Sequence, residues 1–211
     1  MKKFELTNEF ITNMFGTKLF RIRALVEFGD VEAGELGGYV EKESNLGHDD
    51  NAWVYDNAWV YGNARVYGDA QVSGDARVYD NAWVYGDARV YGNARVYGNA
   101  RVYGNAWVYG NAWVYGNAWV YGNALVCSDE DYAYAHGFGS VNRTTTFFRL
   151  KDGGVGVRCG CFYGTLAQFR DKIRETHGET KKAQEYLMLA DLMELRFEED
   201  ENEVGNRKYV E

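Results

Sequence analysis

Histidine and cysteine are the residue types of this 211-residue chain that could serve as nucleophiles, general bases or soft metal ligands, and each occurs three times. Cys159 and Cys161 stand two residues apart, which on one strand would place both thiols on the same face, about 7 Å apart and too far for an easy disulfide. Zinc needs four ligands at closer spacing, and only Cys127, His136 and His177 remain as candidates. The pattern favours packing in a hairpin, and we predict no metal, no cofactor and no catalytic residue.

The middle of the chain is dominated by an uninterrupted six-residue repeat of the form N/D-A-W/R-V-Y-G. Its thirteen valines are Val54, Val60, Val66, Val72, Val78, Val84, Val90, Val96, Val102, Val108, Val114, Val120 and Val126. Because strand side chains alternate, Ala94 and Val96 share one face, and Arg95 and Tyr97 share the other. A glycine in nearly every unit favours corners and disfavours a helix. The repeat therefore predicts a solenoid whose Val/Ala interior has no room for a ligand, so that function resides on its outer faces, at its ends or in the flanking segments.

The run V-Y-G-N-A-W resembles the hexapeptide repeat, in which a small residue follows an aliphatic one four positions later. The resemblance covers residues 51–126. It implies a mainly β fold, a left-handed parallel β-helix of about four to five coils with three hexapeptides in each triangular coil. Val40 and Leu46 are also six apart but fall in the alanine phase, and we expect them to begin an earlier, less regular coil. The expected domains are a β cap over 1–38, the β-helix over 39–127 and a small α+β domain over 128–211.

The outward position before each valine holds all six tryptophans of the chain. A coil of three hexapeptides stacks three arginines against three tryptophans: Arg89 against Trp107, Arg95 against Trp113 and Arg101 against Trp119. One interpretation is a structural ladder held by cation–π contacts of roughly 0.5–1 kcal/mol each. The other is a candidate interface formed by these six side chains, because exposed Trp, Tyr and Arg are typical of binding hot spots.

The segments on either side of the repeat have the patterns of caps. Phe4-Glu5-Leu6 and residues 19–25 alternate like strands around a turn at Gly16. This predicts an N-terminal cap, which a solenoid needs because its end exposes unpaired strand edges. After the repeat, residues 144–150 and 155–162 predict a β-hairpin joined at Lys-Asp-Gly-Gly.

Two helices are expected after this hairpin. Thr165 and Gln168 form the capping-box pattern of a helix that ends at Gly178. Thr180 can cap a second helix, and its apolar spacing places one face inward. The acidic run 198–203 is expected to be a solvated tail.

Charge and hydropathy exclude several classes of function. The net charge is −8, and the acids and arginines of residues 51–126 balance each other, so the acidity lies in the flanking segments. We expect no direct nucleic-acid binding, because no basic footprint is present. No apolar run approaches the roughly 18 residues of a membrane span, and the start does not resemble a signal peptide. An odd number of cysteines suits a reducing cytosol, so we expect a cytoplasmic protein.

A second resemblance involves both flanking segments. Lys-Leu-Phe-Arg-Ile-Arg-Ala-Leu (18–25), Phe-Gly-Asp (28–30) and Gly-Glu-Leu-Gly-Gly-Tyr (34–39) resemble the opening of phage- and prophage-encoded hexapeptide-repeat proteins. Cys-Gly-Cys-Phe-Tyr-Gly-Thr-Leu (159–166), with Phe169 and later His-Gly (177–178), is similar to their recurrent C-terminal segment. The resemblance implies a phage context and the cytosol of a bacterial host, with no function established across that family.

Hexapeptide-repeat proteins include acyltransferases and carbonic anhydrases, whose chemistry uses a histidine on a coil or an inserted loop. Residues 51–126 contain no histidine and no inserted loop. His136 lies just outside this range and suits a loop or packing role better than the role of a general base. We therefore favour a non-enzymatic protein-binding module, in its most concrete form an inhibitor of a host defence protein or another host protein. The alternatives are a self-assembling, homo-oligomeric scaffold and a hexapeptide-repeat acyltransferase.

Overall fold

The computed structural model describes residues 2–139 and 142–198, and these residues form twenty β-strands and two α-helices. Thirteen of the strands contain two residues, one strand per six-residue unit. They are β4 (Trp53–Val54), β5 (Trp59–Val60), β6 (Arg65–Val66), β7 (Gln71–Val72), β8 (Arg77–Val78), β9 (Trp83–Val84), β10 (Arg89–Val90), β11 (Arg95–Val96), β12 (Arg101–Val102), β13 (Trp107–Val108), β14 (Trp113–Val114), β15 (Trp119–Val120) and β16 (Leu125–Val126). The predicted acidic run 198–203 lies outside the described residues except for Glu198.

The short strands stack into three parallel sheets, because each strand pairs with the strand three repeat units later. Val90, for example, pairs with Val72 below and Val108 above. We call the sheet of β5, β8, β11 and β14 face A, that of β4, β7, β10, β13 and β16 face B, and that of β6, β9, β12 and β15 face C. The fold is a β-solenoid of about five coils, as the repeat predicts.

The interior of the solenoid is formed by the valine and alanine of each unit. All thirteen repeat valines, and the alanine two positions before each of them, are 0% exposed. The predicted inward assignment is confirmed. Burial of each valine contributes roughly 1.5–3 kcal/mol, so the column of valines stabilises this part of the chain strongly.

The first coil is longer than the others by two positions. Val40 pairs with Val60, and Leu46 forms a bridge with Val66, so both contacts span two positions more than the three repeat units of the later coils. Both side chains are buried. This insertion explains why Val40 and Leu46 fall in the alanine phase of the sequence, and the expectation of an earlier, less regular coil is confirmed.

The N-terminal segment forms a hairpin of β1 (Phe4–Thr12) and β2 (Lys18–Ala24) around Gly16, followed by β3 (Leu36–Val40). The hairpin pairs antiparallel to β3, and β3 pairs in parallel with β5, so face A continues into a sheet of seven strands. Phe4 and Ile22 are fully buried in the solenoid core at this end. The expected cap over the first coil is thus built partly by extending one sheet.

Trp53 corrects one expectation about the tryptophans. The repeat places all six in outward positions in contact with solvent, but Trp53 is 0% exposed. The rings of Phe4 and Phe28 contact it edge-on, with centroid distances of 6.2 and 5.3 Å. The outward position is covered because the cap folds over this coil.

The C-terminal segment forms an antiparallel sheet in the order β17 (Tyr132–Phe138), β18 (Arg143–Arg149), β19 (Val155–Cys159) and β20 (Phe162–Thr165). Its two helices are α1 (Leu166–His177) and α2 (Lys181–Phe197). Phe148 extends from β18 into the solenoid core, whereas Phe147, its neighbour on the opposite face, packs with the helices. The sheet therefore covers the end of the solenoid on one side and carries the helices on the other.

Both predicted helix starts are confirmed. The Thr165 side chain accepts a hydrogen bond from the backbone N–H of Gln168, and that of Thr180 accepts one from Ala183. Gly178, with φ +57°, ends α1 as expected. The second hairpin strand, predicted to run through Phe162, ends earlier, at Cys159.

Cys159 and Cys161 lie where β19 ends, and they do not share one strand face as expected. Gly160 has φ +59°, a left-handed conformation that turns the chain between β19 and β20. Cys159 consequently belongs to β19, and Cys161 is exposed at the turn.

Candidate functional site

The structure brings together each arginine–tryptophan pair that the three-unit coil predicts. Arg89 lies over Trp107, Arg95 over Trp113 and Arg101 over Trp119, with guanidinium-to-ring distances of 5.4, 4.6 and 4.8 Å. The three pairs lie on faces B, A and C respectively. Since the faces point in three directions, a single flat partner surface cannot contact all six side chains.

Two of the three tryptophans are contacted by the C-terminal sheet. Lys151 places its Nζ 4.0 Å from the ring of Trp107 on face B, and Arg158 lies 5.1 Å from the ring of Trp119 on face C. Both tryptophans are half-buried, whereas Trp113 on face A is 40% exposed. The C-terminal segment thus occupies part of faces B and C.

Face C carries an alternating column of arginines and tryptophans. Arg101 lies 4.8 Å from the rings of both Trp83 and Trp119, and Arg65 lies 5.9 Å from the ring of Trp83. Arg158 of the C-terminal sheet continues the column. Every arginine of this column lies against a tryptophan, and these contacts stabilise the stack.

Face A carries a different row, which we call the face A row. It crosses all seven strands of the sheet and consists of Glu9, Arg21, Tyr39, Trp59, Arg77, Arg95 and Trp113. The register pairs Arg21 with Tyr39, Tyr39 with Trp59, and Arg77 with Arg95. Because the first coil is two positions longer, Tyr39 does not fall at the six-residue period of the repeat. The part of the row before Trp59 could therefore not be predicted from the repeat.

Four tyrosines run beside the face A row. The rings of Tyr61, Tyr79, Tyr97 and Tyr115 stack at centroid distances of 5.0, 4.9 and 5.3 Å. Burial raises the pKa of Tyr61 and Tyr97, and that of Tyr79 to about 12. These three phenols are therefore neutral at physiological pH and present hydroxyl groups beside the row.

Of the three arginines in the face A row, one has a carboxylate partner among the described residues and two do not. At one end Arg21 donates to Tyr39 Oη at 3.0 Å and to Glu9 at 3.4 Å. In the middle, Arg77 and Arg95 are cross-strand neighbours on adjacent coils. Within residues 2–139 and 142–198 neither forms an ion pair with a carboxylate. Their guanidinium groups contact the outer tryptophans, with Arg77 4.2 Å from the ring of Trp59.

His136, Cys127 and Cys159 lie apart from the face A row. His136 is exposed on β17, and its Nδ1 is 2.9 Å from Thr144 Oγ1. Cys159 Sγ accepts a hydrogen bond from Thr145 at 3.2 Å, and the thiol of Cys127 is 2.9 Å from Asp131 Oδ2. Among the described residues, no three His, Cys, Asp or Glu side chains cluster as they would around a metal ion.

Neither α1 nor α2 is both long and apolar enough to cross a bilayer.

Comparison with known proteins concerns the repeat. A search of curated proteins finds no match to the chain. A family model described as the YdcK beta solenoid repeat matches seven overlapping segments: 58–74, 70–86, 82–97, 88–100, 94–110, 100–116 and 106–122. These segments cover the central coils of all three faces and none of the cap or the C-terminal sheet. Residues 58–122 are therefore similar to the YdcK beta solenoid repeat.

Proposed function

We propose that the chain is a non-enzymatic protein-binding module that uses the face A row. The observation that carries the proposal is the pairing of Arg77 with Arg95, in register and without a carboxylate partner among the described residues, between Trp59 and Trp113. Like charges directly opposite each other on a sheet are destabilising. A partner that supplies carboxylates would relieve this repulsion.

The residue types and their support suit recognition of a protein. Tryptophan, tyrosine and arginine are the side chains most enriched in binding hot spots. From Trp59 to Trp113 these side chains are held on a parallel sheet above a fully buried valine core, so that little conformational entropy is lost on binding. Six inter-strand steps of about 4.8 Å give the row a length of about 29 Å. Tyr39 within it is buried, so the accessible part on the solenoid runs from Trp59 to Trp113 over three steps, about 14 Å.

The proposed partner carries an acidic surface. The resemblance to phage- and prophage-encoded proteins, over residues 18–39 and 159–178, supports a bacterial cytosolic protein as this partner. An inhibitor of a host defence protein is the most concrete form of the proposal. This form of the proposal rests on the resemblance to phage-encoded proteins, because a fold by itself does not specify a partner.

The test compares equivalent arginines on two faces. Arg95→Glu reverses charge on face A, and the matched control Arg89→Glu makes the same change on face B, where the arginine also lies over a tryptophan. Affinity capture from bacterial lysate would identify a partner, and titration with that partner would follow. We expect Arg95→Glu to weaken binding by about 30-fold or more, as for a hot-spot residue, and Arg89→Glu to change it little. Equal binding by both variants, or no recovered partner, would count against the proposal.

A homo-oligomeric scaffold is the second candidate function, and one surface supports it. Met188, Leu192 and Leu195 of α2 follow i, i+4, i+7 spacing and are 70%, 54% and 67% exposed. Such an apolar stripe on a helix commonly packs against another helix. Light scattering over a range of concentrations would detect self-association, and Leu192→Glu should abolish it if the stripe is the contact. A monomer at all concentrations would remove this candidate.

A further inference from the structure

A cleft of about 260 Å³ lies where face C meets the C-terminal sheet. It is formed between the last coils of the solenoid and the strands β18 and β19. The residues that line it are Asn117, Trp119, Arg143, Thr144, Arg158 and Gly160. None of these belongs to the face A row, so the cleft is separate from the proposed protein-binding surface.

Among the described residues, the lining of the cleft combines the apolar surface of Trp119 with two arginines, an asparagine and a threonine, and it contains no carboxylate. Arg143 and Arg158 bring two guanidinium groups to it. Neither arginine forms an ion pair within the described part of the chain. In a chain of net charge −8, two guanidinium groups that pair with no carboxylate among the described residues form a local positive site.

Arg158 is held in place by two hydrogen bonds to residues outside the cleft and by the ring of Trp119, which lines it. Its Nε donates to Tyr103 Oη at 3.2 Å, and its Nη1 donates to the carbonyl of Phe162 at 3.0 Å. The guanidinium group also lies 5.1 Å from the ring of Trp119. The orientation of this cation is therefore fixed before any ligand arrives, which lowers the entropy lost on binding.

An asparagine ladder supplies a further donor. Along one corner of the solenoid, Asn63, Asn81 and Asn99 each donate from Nδ2 to the Oδ1 of the asparagine one coil later, at 3.2, 3.4 and 3.2 Å. Asn117 ends the ladder, so its Oδ1 is occupied as an acceptor. Its Nδ2 has no acceptor within the described residues and lies at the lining of the cleft.

We propose that this cleft binds the phosphate group of a small molecule, either inorganic phosphate or a small phosphomonoester. Guanidinium groups pair with phosphate oxygens through parallel charge-assisted hydrogen bonds, and the amide of Asn117 and the hydroxyl of Thr144 add neutral donors. The volume is below the roughly 300–1,000 Å³ of sites for drug-sized ligands, which favours a compact ligand.

The decisive variant is Asn117→Asp. An aspartate keeps the oxygen that accepts from Asn99, so the ladder below is preserved, but it replaces the free donor by a negative charge inside the cleft. Asn105→Asp is the matched control, because it adds the same charge to the same coil at another exposed corner. Aspartate already stands at the two equivalent positions below it, Asp69 and Asp87.

Binding would be measured by isothermal titration calorimetry at constant ionic strength, with inorganic phosphate and glycerol phosphate as separate probes. We expect saturable binding to the intact protein, a loss of about tenfold or more in affinity for Asn117→Asp, and unchanged affinity for Asn105→Asp. Tighter binding of glycerol phosphate would identify a monoester as the ligand, and equal or weaker binding would identify the free anion.

Arg143→Gln is a second variant that does not touch the ladder. It removes an exposed guanidinium group that has no hydrogen bond within the described residues, so folding should be unaffected while phosphate affinity falls. Two results would overturn the proposal: no saturable binding of either probe by the intact protein, or equal affinities for Asn117→Asp and Asn105→Asp.

Discussion

Gly98 stands at a corner where neighbouring coils approach closely, and its replacement by alanine or by asparagine should have different effects. Its φ is +70°, and a Cβ added there would lie 3.1 Å from the backbone nitrogen of Gly116 in the next coil. One coil earlier, the same corner is occupied by Asp80 with φ 60°. Asp80 Oδ2 accepts a hydrogen bond from the Gly98 N–H at 3.3 Å. The corner thus tolerates a side chain that can bond to the next coil.

The structure sets the expected free energies of unfolding. Alanine at Gly98 would occupy the left-handed region at a cost of about 1–2 kcal/mol, and the reduced entropy of the unfolded chain would return about 0.4–1 kcal/mol. The close approach to Gly116 adds to the cost. Asparagine tolerates this backbone conformation, and its amide oxygen can accept the Gly116 N–H, a bond worth about 1 kcal/mol. We therefore expect Gly98→Ala to be less stable than Gly98→Asn by about 1–2 kcal/mol.

The comparison requires urea denaturation of the three proteins, followed by circular dichroism. Equal slopes of free energy against urea would show that the two variants unfold from the same compact state as the parent, so that the midpoints report stability directly. If Gly98→Ala is as stable as Gly98→Asn or more stable, the account of the corners is wrong.

Three further predictions concern the core, the cap and the tyrosines. Val90→Asp places a charge among fully buried valines and alanines, so the thermal melt by circular dichroism should shift to much lower temperature or disappear, and an unchanged melt would contradict the inward assignment. Trp53→Ala should lower the free energy of unfolding by about 3–5 kcal/mol, because that ring is fully buried. Trp113→Ala removes a ring that is 40% exposed and should lower it by about 1 kcal/mol or less. Equal losses of the two variants in urea titrations would refute this difference. Burial raises the pKa of Tyr79 and Tyr85 from 10.0 to about 12. The contribution of these two phenols to stability should therefore be complete below pH 10 and lost as the pH rises through 12. Absorbance at the phenolate band should show their late ionisation, and titration of all tyrosines near pH 10 in the folded protein would contradict it.

The solenoid itself was predictable from sequence because one local rule repeats. Alternation of side chains and a fixed period assign every valine to the interior, and the same period pairs Arg95 with Trp113. The helix starts at Thr165 and Thr180 were predictable for a similar reason, since a cap depends on residues within one turn.

What the sequence could not reveal depends on contacts between distant segments. Trp53 has the same local surroundings as the other tryptophans, and only the fold of the cap buries it. Lys151 and Arg158 cover parts of faces B and C through the placement of the C-terminal sheet, which no repeat encodes. The candidate interface of six side chains stays a prediction, and our proposal concentrates on the part of it that lies on face A, where Trp113 is 40% exposed.

Photo-crosslinking from defined positions tests the proposed binding surface most directly. A photoreactive amino acid would replace Tyr97 beside the face A row in one protein and Tyr91 on face B in another, so that Arg95 is kept and both probes lie on one coil but point in different directions. The account predicts that irradiation in bacterial lysate yields a discrete crosslinked partner from position 97 and none from position 91. A partner captured from position 91 and not from position 97 would contradict it.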